Sequence, residues 1–421
     1  MNLVVLTPHF APDIAPTGEV ITRLVEELAG LGHRIEVITA LPWYREHQIE
    51  PGFTGKMVRR EDTPWGTVTR LHPFPTADKT NLARRAASFA GFSALAAAVG
   101  RRGIGAKQDR KIDGVLAVSP PLTLGSAGRS IARARGGVYV LNVQDVYPDV
   151  VIDLGYMRNP VTVGAALMLE RRCYNAADAV TVLSEDLQAN VARKTRRADK
   201  VRVIPNFVDT ERISPVDREN PYRAEFGLQG KKVVMYAGNV GFSQALDLVL
   251  AAAVAMIEDP DVVFVINGGG AVKADLQAQA RGLSNVVFVD SQPIDRLPEV
   301  LGAADIHLVP LKKGLSKSSV PSKTFSILAA GRAFVASVDP GSEIAQIAER
   351  SGAGLAVPPE DPEAFTKAIR RLLDEPDETR AMGERGRAFV ESWASPHAVA
   401  VAYEELFAEL QESSKGRRRV R

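Results

Sequence analysis

The stretch that decides the fold is the first 39 residues, which read MNLVVLTPHFAPDIAPTGEVITRLVEELAGLGHRIEVIT. Residues 3–8 are an apolar run of strand length, and residues 18–31 repeat apolar side chains at helical spacing. Gly32 marks the end of this helix, and residues 34–39 form a second apolar run. A strand, a helix and a strand in this order predict a βαβ unit, in which the two strands lie parallel in one sheet.

The same alternation continues along the whole chain, with one interruption. Further strands are predicted in the first half at residues 114–118, 138–143, 179–183 and 201–205. After a polar, proline-containing stretch, strands are predicted again at residues 232–237, 262–266, 286–289, 306–309, 333–336 and 354–357. Strands that alternate with helices predict parallel, doubly wound sheets. A chain of 421 residues is long enough for two such domains.

We therefore predict an α/β protein with two Rossmann-like, doubly wound parallel-sheet domains that face a cleft. The N-terminal domain is expected to span residues 1–205, followed by a linker at 206–221 and a C-terminal domain at 222–391. A helix at about 392–412 is expected to pack back on the N-terminal domain, and residues 413–421 form a basic tail. Open parallel sheets bind ligands beyond the carboxyl ends of their strands, so a ligand is expected in the cleft.

Composition argues against several classes of protein. The net charge is only +2, which gives no indication of nucleic-acid binding. The single cysteine, Cys173, cannot form an intrachain disulfide, and this favours a reducing cytoplasm. The N-terminal residues do not resemble a signal peptide. No apolar run reaches the roughly 18 residues that a membrane-spanning helix needs.

Basic residues are concentrated in one part of the N-terminal half. Residues 56–111 contain 12 Lys or Arg and 4 Asp or Glu. Within this part lies an apolar segment at residues 86–99, which is too short to span a bilayer. It is flanked by Arg84, Arg85, Arg101 and Arg102. The segment is either a buried or half-buried helix, or a helix that lies in the interface of an anionic membrane and is held there by these arginines.

The loop after the first strand is rich in proline and lacks the G-x-G-x-x-G pattern of dinucleotide-dependent dehydrogenases. Gly18 opens the predicted helix that follows. A glycine at this place lets a phosphate approach free backbone N–H groups. The alternative is that Gly18 only shapes the turn.

Gly238, Asn239 and Gln244 follow the first strand of the second half, in the segment GNVGFSQ. Glycines and amide side chains at the carboxyl end of a strand suit a pyrophosphate or a sugar. We therefore predict that these three residues contact a phosphorylated ligand.

Ser322 and Lys323 precede the apolar helix predicted at residues 324–330. Ser322 is placed to cap this helix, and Lys323 lies in its first turn. A lysine near the positive end of a helix dipole is unfavourable by about 0.3–1 kcal/mol. A bound phosphate would compensate, so Lys323 is predicted to contact one. The alternative is that its side chain bends into solvent.

These segments together resemble glycosyltransferase family 4, the retaining enzymes of GT-B fold, across essentially the whole chain. The segment FAPDIAPTGEVITRLVEELAGLGHRIEVIT is similar to the loop, helix and strand that open these enzymes. The segments YAGNVGFSQALDLVLAAA, VINGGGAVKADLQ and SVPSKTFSILAAGR are similar to their donor site. The combination of VQDVYPD, GNVGFSQ and VPSK resembles the branch that builds colanic acid, O-antigen and capsular polysaccharides.

The sequence departs from the family pattern in the donor site. The family's paired glutamates correspond to Ser318 and Ser326, so the carboxylate that holds the nucleotide ribose is missing at Ser326. The family's basic pair corresponds to Asn239 and Gln244, which leaves more of the diphosphate charge to Lys323.

Gln144 and Asp145 directly follow an apolar strand, and Gln144 stands where the family has a histidine in the cleft. Asp145 is our candidate for contacting a hydroxyl group of the acceptor. The alternative is that it caps a helix or stabilises a turn.

The resemblance implies a retaining glycosyltransferase of hexosyl or N-acetylhexosaminyl type in cell-surface polysaccharide biosynthesis. The donor would be a UDP- or GDP-sugar, and the acceptor a lipid-linked sugar or a glycan. Gly18, Asn239, Gln244 and Lys323 would position the diphosphate, and Ser291 and Gln292 would line the base pocket. We expect the protein in the cytoplasm, bound peripherally to the inner face of the cell membrane.

No cofactor and no metal are expected, because in such enzymes the leaving diphosphate itself accepts the proton of the acceptor. Asp259 and Asp261 match a D-x-D metal motif, but they precede a predicted strand and are interpreted as a turn at the far end of the sheet. The six histidines show no ligand spacing typical of zinc sites.

Two other functions are open from the sequence. A nucleotide-sugar epimerase of the same fold would need no acceptor. A non-catalytic scaffold in a polysaccharide assembly complex would fit the missing glutamates.

Overall fold

The structure is a computed structural model that describes residues 1–13, 15–44, 48–75, 82–103, 111–146, 148–149, 152, 157–314 and 322–419. The chain divides into two compact units. The first comprises Met1–Asn206 and Val399–Arg421, and the second comprises Phe207–Ala398.

The first unit contains an eight-stranded sheet. Its strands are β1 (Asn2–Leu6), β2 (Arg34–Ala40), β3 (Val58–Thr63), β4 (Gly66–Leu71), β5 (Gly114–Ser119), β6 (Val138–Val143), β7 (Ala179–Val182) and β8 (Val201–Val203). Its helices are α1 (Pro16–Gly30), α2 (Leu82–Arg102), α3 (Thr123–Arg135), α4 (Pro160–Ala176) and α5 (Glu185–Lys194), with a 3₁₀ turn at Ala198–Lys200.

The strand order of this sheet is β3-β4-β2-β1-β5-β6-β7-β8. All neighbouring strands are parallel except β3 and β4, which form an antiparallel hairpin at the edge. The order reverses between β1 and β5, so the crevice at this reversal is where a ligand is expected to bind.

The second unit contains a six-stranded sheet. Its strands are β9 (Lys232–Ala237), β10 (Val262–Asn267), β11 (Val286–Val289), β12 (Ile306–Pro310), β13 (Ala333–Ser337) and β14 (Gly354–Val357). Its helices are α6 (Pro221–Glu225), α7 (Asp247–Ala255), α8 (Lys273–Gln279), α9 (Leu297–Gly302), α10 (Ser322–Ala329), α11 (Glu343–Ser351), α12 (Pro362–Asp374) and α13 (Pro376–Trp393), with a 3₁₀ turn at Ile294–Arg296. A last helix, α14 (Pro396–Arg419), closes the chain.

The strand order β11-β10-β9-β12-β13-β14 is all parallel and corresponds to the 3-2-1-4-5-6 order of dinucleotide-binding domains. Helices cover both faces of the sheet. Val234 belongs to the hydrophobic cluster that contains Val249 of α7, while the next strand residue, Met235, packs with Val300 of α9. Burial on both faces explains why β9 and β12 are apolar at nearly every position.

Residues 206–221, predicted to be a linker, are packed into the second unit from Phe207 onward. The side chains of Val208 and Ile213 are buried in the cluster that contains Phe334 of β13. The polar, proline-containing composition of this segment predicts a linker, but two buried apolar side chains hold the segment against the sheet.

Helix α14 belongs to the first unit from Val399 onward. The hydroxyl of Tyr403 accepts a hydrogen bond of 2.8 Å from the side-chain amide of Asn142 and lies 3.1 Å from the Thr181 hydroxyl. Gly114 leaves room for the ring of Phe407, since a Cβ there would lie 2.4 Å from it. These contacts fix the helix against β5, β6 and β7.

Candidate active site

The carboxyl end of β9 lies at the strand-order reversal of the second sheet, next to β12. The chain leaves this strand at Gly238, whose φ of +145° favours glycine. The N–H of Gly238 donates to the carbonyl of Asn267 at the end of β10. Gly238, one of the predicted donor-binding residues, therefore lies at the place where an open parallel sheet binds its ligand.

Two glycines of the next loop allow the backbones of the two loops to touch. A Cβ on Gly268 would lie 1.9 Å from the carbonyl oxygen of Gly238, and one on Gly270 would lie 2.3 Å from that of Val240. Both also have a φ near +150°, which L side chains rarely adopt. The backbone N–H groups of Asn239, Gly269 and Gly270 have no hydrogen-bond partner among the described residues. Together these loops carry three backbone N–H groups that no described residue occupies.

Lys323 lies in the first turn of α10, and its side chain reaches the first of these glycines. The ammonium Nζ lies 3.4 Å from the position that a Cβ on Gly238 would occupy. It donates a hydrogen bond of 2.9 Å to the Tyr236 hydroxyl and lies 4.1 Å from the centroid of the Tyr236 ring. Burial lowers the pKa of Lys323 to about 8. The side chain does not bend into solvent, which was the alternative interpretation.

Tyr236 links Lys323 to the glycine loop. Its hydroxyl accepts from Lys323 and donates a hydrogen bond of 2.6 Å to the carbonyl of Asn239. Burial raises the pKa of Tyr236 well above its usual value, so the hydroxyl stays protonated. Tyr236 was not predicted from the sequence, since a tyrosine in an apolar strand is usually part of the core.

Asn239 and Gln244 lie in the same loop, but their side chains make different contacts. The carbonyl of the Gln244 side chain accepts a hydrogen bond of 3.2 Å from the N–H of Gly241, so part of its amide holds the loop. The Gln244 backbone pairs with Leu311 at the end of β12, which ties the loop to the neighbouring strand. The Asn239 side chain is exposed and lies beside Gly270, where its Oδ1 is 2.7 Å from the position of a Cβ. Asn239 is therefore available to a ligand.

Ser291 and Gln292 follow β11 on the far side of the glycine loops. Ser291 is exposed, and its Oγ lies 3.6 Å from the position of a Cβ on Gly269. The Gln292 amide is engaged within its own loop, because it accepts from Arg296 and donates to the carbonyl of Asp290. Only Ser291 therefore lies against the glycine loops in the way a base-pocket residue would.

Parts of the predicted donor site lie outside the described residues. These are Ser318 and the side chain of Ser322, including its proposed cap. Ser326 is half-buried in α10, one turn beyond Lys323.

In the first unit, Gly18 lies in the first turn of α1 and packs against the loop that follows β1. A Cβ on Gly18 would lie 3.1 Å from the Cβ of His9 and 3.3 Å from the carbonyl oxygen of Asp13. The structure thus gives Gly18 a packing role, and contact with a phosphate stays a prediction.

The same loop holds a histidine and a buried carboxylate that the sequence analysis did not single out. His9 Nδ1 lies 2.6 Å from the carboxylate of Asp13, whose side chain is 1% exposed. The other carboxylate oxygen accepts from the backbone N–H groups of Trp43 and Tyr44, which follow β2. The spacing of four residues between His9 and Asp13 is a signal in the sequence, but the partners from β2 are not.

Gln144 and Asp145 follow β6, two strands away from β1 in the sheet. Gln144 is buried, donating to Asn142 and accepting from Asn206, so it acts as a structural hydrogen-bonding residue. The side chain of Asp145 is exposed and has no hydrogen-bond partner among the described residues. Nearby protein atoms displace part of its water and raise the pKa of its carboxyl above the usual value. No capping hydrogen bond to Asp145 is seen from the residues that the structure describes around it, and contact with an acceptor stays a prediction.

The apolar segment with flanking arginines forms the half-buried helix α2, with Phe92 and Ala96 in the core. Arg84, Arg101 and Arg102 are exposed, whereas the side chain of Arg85 lies outside the described residues. No helix in the described part of the chain has the length and apolarity to cross a membrane.

Asp259 and Asp261 lie in the turn that precedes β10, at the amino end of the sheet, as predicted. Among the described residues, no group of three His, Cys, Asp or Glu side chains could hold a metal ion. A cavity of about 570 Å³ also opens at this amino edge. Asp305 in its lining has a structural role, since it accepts hydrogen bonds from Arg218 and Arg223.

Two family models match the two halves of the chain. Residues 17–206 match the model of the glycosyl transferase 4-like domain, and residues 231–375 match that of the glycosyl transferases of group 1. The chain is 30% identical to the putative colanic acid biosynthesis glycosyl transferase WcaI of Escherichia coli K12, over 89% of this chain and 92% of that protein.

Two further proteins are similar over shorter lengths or in structure alone. The O-antigen chain mannosyltransferase C of Escherichia coli is 26% identical over 58% of this chain and 63% of its own length. The structure of Anabaena HepE in complex with UDP-glucose superposes with a TM-score of 0.59 at 14% identity, covering 98% of this chain and all of that one. Two parallel-sheet domains with these neighbours show the GT-B fold. The chain thus belongs to glycosyltransferase family 4 and is a glycosyltransferase.

Proposed function

We propose that the protein transfers a sugar, with retention of anomeric configuration, from a UDP- or GDP-sugar to a lipid-linked sugar or glycan in bacterial surface-polysaccharide biosynthesis. The observation that carries this proposal is the ammonium of Lys323 beside Gly238, at the strand-order reversal of the second sheet. The names of WcaI and of the O-antigen mannosyltransferase support the polysaccharide pathway, and the UDP-glucose complex of HepE supports the donor class.

Lys323 is suited to bind the diphosphate of such a donor. Its ammonium is largely buried, and in the described part of the chain its polar contact is the neutral hydroxyl of Tyr236. A buried cation without an anionic partner is unfavourable, and a bound diphosphate would supply that partner. The open N–H groups of Asn239, Gly269 and Gly270 would add hydrogen bonds to the same anion.

This arrangement also suits the departure of the diphosphate. Negative charge grows on the leaving group as the bond between the sugar and the diphosphate breaks. A fixed ammonium and fixed N–H groups stabilise that charge without reorganising. We infer that the reaction needs no metal and no cofactor, and that activity persists in EDTA.

The location at a membrane rests on the first unit. Helix α3 packs against both α2 and α4, so these helices lie in one layer. Besides the exposed arginines of α2, the α4 helix exposes Val161, 79% accessible, and Met168, 54% accessible. Exposed apolar side chains beside basic ones favour an anionic lipid surface, where a lipid-linked acceptor would be held.

The proposal is tested with a panel of UDP- and GDP-sugars, in the absence and presence of membrane lipid extract. Slow release of free UDP or GDP without acceptor, and faster release with extract, is expected of a transferase. Conversion into a different sugar nucleotide would identify an epimerase, and the absence of any thermal shift with all donors would favour a scaffold.

Lys323→Ala is the matched variant for this assay. A charge-assisted hydrogen bond contributes about 1.5–3 kcal/mol, so turnover is expected to fall at least tenfold. Lys367→Ala, an exposed lysine on α12, is the control. Unchanged turnover of Lys323→Ala would remove this residue from the site.

A further inference from the structure

His9 and Asp13 form a hydrogen-bonded pair whose geometry indicates more than a packing role. The Asp13 carboxylate is nearly inaccessible and uses one oxygen for His9 and the other for the N–H groups of Trp43 and Tyr44. An ionised carboxylate can only accept hydrogen bonds, so His9 Nδ1 carries a proton. In the neutral ring the other nitrogen, Nε2, is then a hydrogen-bond acceptor, and Asp13 fixes both the tautomer and the ring orientation.

His9 Nε2 has no hydrogen-bond partner in the described part of the chain. The His9 side chain is 14% accessible, so this nitrogen is not sealed in the core. The ring lies at the carboxyl end of β1, at the strand-order reversal of the first sheet. This is the edge of the first unit where a ligand is expected.

Aromatic rings beside His9 indicate the class of ligand. The Trp43 ring is stacked with the imidazole at a centroid distance of 5.8 Å, and Tyr44 meets it edge-on at 5.1 Å. Tyr44 is 40% accessible. Aromatic surface next to one oriented polar group is the combination that suits a ligand with an apolar ring face and hydroxyl groups, which describes a sugar.

We propose that His9 Nε2, oriented by Asp13, accepts a hydrogen bond from a hydroxyl group of a carbohydrate acceptor whose ring packs on the aromatic side chains of Trp43 and Tyr44. This inference rests on the proposed glycosyltransfer and adds a binding site for the acceptor to it. Asp145 follows β6 on the same edge, two strand spacings or about 10 Å from β1, which would place it at the far side of a bound sugar.

Asp13→Asn distinguishes this role from packing. The amide has nearly the same size and keeps an oxygen for the N–H groups of Trp43 and Tyr44, but it presents an NH₂ group to His9. The imidazole must then accept at Nδ1 and carry its proton on Nε2, so the nitrogen that faced the hydroxyl changes from acceptor to donor. The tautomer is read from the ¹⁵N shifts of the His9 ring, assigned with His9→Gln.

The binding experiment titrates the full-length protein with octyl β-D-glucoside, octyl α-D-mannoside and octyl α-L-fucoside while the His9 ring signals are followed. At least one glycoside is expected to shift the Nε2 signal. The glycoside that shifts it is then used as acceptor, with the donor that the sugar-nucleotide panel identifies.

We expect His9→Ala and Asp13→Asn to raise the KM for this acceptor at least tenfold. The affinity of both variants for the donor is expected to stay within twofold of the wild type. All values for the control His397→Ala are expected to do the same. The proposal is wrong if no glycoside of the panel shifts the His9 signal, or if His9→Ala keeps the acceptor KM. It is equally wrong if donor affinity falls with acceptor affinity.

Failure of the proposed function would look different, because the wild type itself would then bind and hydrolyse no sugar nucleotide. A folding defect is recognised by a lowered melting temperature. His9→Gln, which retains an acceptor oxygen in a side chain of similar length, is then the variant to measure. Partial recovery of the acceptor KM by His9→Gln relative to His9→Ala is expected, and no recovery would contradict the hydrogen bond.

Discussion

The ammonium of Lys323 lies 2.9 Å from the hydroxyl of Tyr236 and 4.1 Å from the centre of the same ring. One aromatic side chain thus supplies both a hydrogen-bond acceptor and a polarisable face to the cation. Neither contact carries a negative charge, so burial dominates and lowers the pKa of Lys323 to about 8. The buried ammonium makes the free protein less stable, and a bound anion would offset this effect.

Lys323→Met is expected to stabilise the free protein at pH 7. The folded protein binds the lysine proton less tightly than the unfolded chain, whose lysine titrates near 10.4. The free energy of unfolding therefore rises with pH between about 8 and 10.4 in the wild type. At pH 7 the lowered pKa reduces the free energy of unfolding of the wild type by about 3 kcal/mol at most, and Lys323→Met lacks this loss.

Urea unfolding at pH 7 and at pH 10 measures the effect. The advantage of Lys323→Met over the wild type is expected to shrink at pH 10, and Lys367→Met serves as the exposed control. If Lys323→Met is less stable than the wild type at pH 7, the buried lysine does not lower the free energy of unfolding.

Donor affinity is expected to fall above pH 8, because only the protonated lysine pairs with a diphosphate. If protonation at a pKa of about 8 is required, the dissociation constant rises about tenfold from pH 7 to pH 9. Calorimetry with UDP and GDP measures this. Lys323→Arg keeps its charge over this range, so its pH profile should be flat whatever its affinity. A flat profile for the wild type would contradict the assignment.

Tyr236→Phe removes the hydroxyl that connects Lys323 to the carbonyl of Asn239. The ring remains, so packing and the cation–π contact are kept. Loss of two hydrogen bonds is expected to cost about 1–2 kcal/mol of unfolding free energy and to weaken donor binding about threefold to tenfold. Tyr174→Phe, which loses a buried hydrogen bond to Glu170 in the first unit, is the control for a stability effect alone. Equal donor affinities of Tyr236→Phe and the wild type would place the hydroxyl outside the site.

Gly268→Ala is expected to disrupt the donor site. The new methyl group would lie 1.9 Å from the carbonyl oxygen of Gly238, at a φ of +151°. Backbone strain alone costs about 1–3 kcal/mol, and the overlap forces the two loops apart in addition. Gly282→Ala separates backbone strain from steric overlap. Gly282 also has a positive φ, but a Cβ on it would lie in open space. Melting temperature and UDP affinity are measured for both variants. Loss of UDP affinity in Gly282→Ala but not in Gly268→Ala would contradict this account.

The parts of the fold that could be predicted are the buried strands, because their sequences are continuous apolar runs. The strands β5 and β6 are buried at every position, and their apolar runs predicted them. The hairpin of β3 and β4 was missed, because β3 reads VRREDT and alternates between exposed and half-buried positions at the sheet edge. Its polar side chains carry no signal that distinguishes it from a loop.

The same limit applies to the site. Lys323 was predicted because a lysine beside the start of a helix is locally unfavourable and would be stabilised by a bound anion. Tyr236 and Asp13 were missed, because what makes them functional candidates is a partner that is far away in sequence. Tyr236 is 87 residues from Lys323, and Asp13 is 30 residues from Trp43. Only the sheet topology brings these pairs together.

The last prediction concerns the exposed face of α4 and its contact with lipid. Val161 and Met168 lie seven residues apart, on one side of the helix, and the helix continues into the exposed Arg171 and Arg172. Burying a methionine side chain in an apolar environment contributes about 1.5–3 kcal/mol, and each basic residue adds about 1 kcal/mol near anionic lipid. Met168→Glu is therefore expected to lower the partition coefficient onto phosphatidylglycerol vesicles at least tenfold.

Sedimentation with these vesicles at low salt measures this, next to vesicles of phosphatidylcholine alone, to which weaker binding is expected. Val254→Glu, at a valine of the second unit that is 55% accessible, is the matched control and is expected to bind like the wild type. Equal loss in both variants would show that added negative charge, rather than the α4 face, weakens binding. If Met168→Glu binds like the wild type, α4 does not contact the membrane, and the arginines of α2 are left as the basis for any lipid interaction of the first unit.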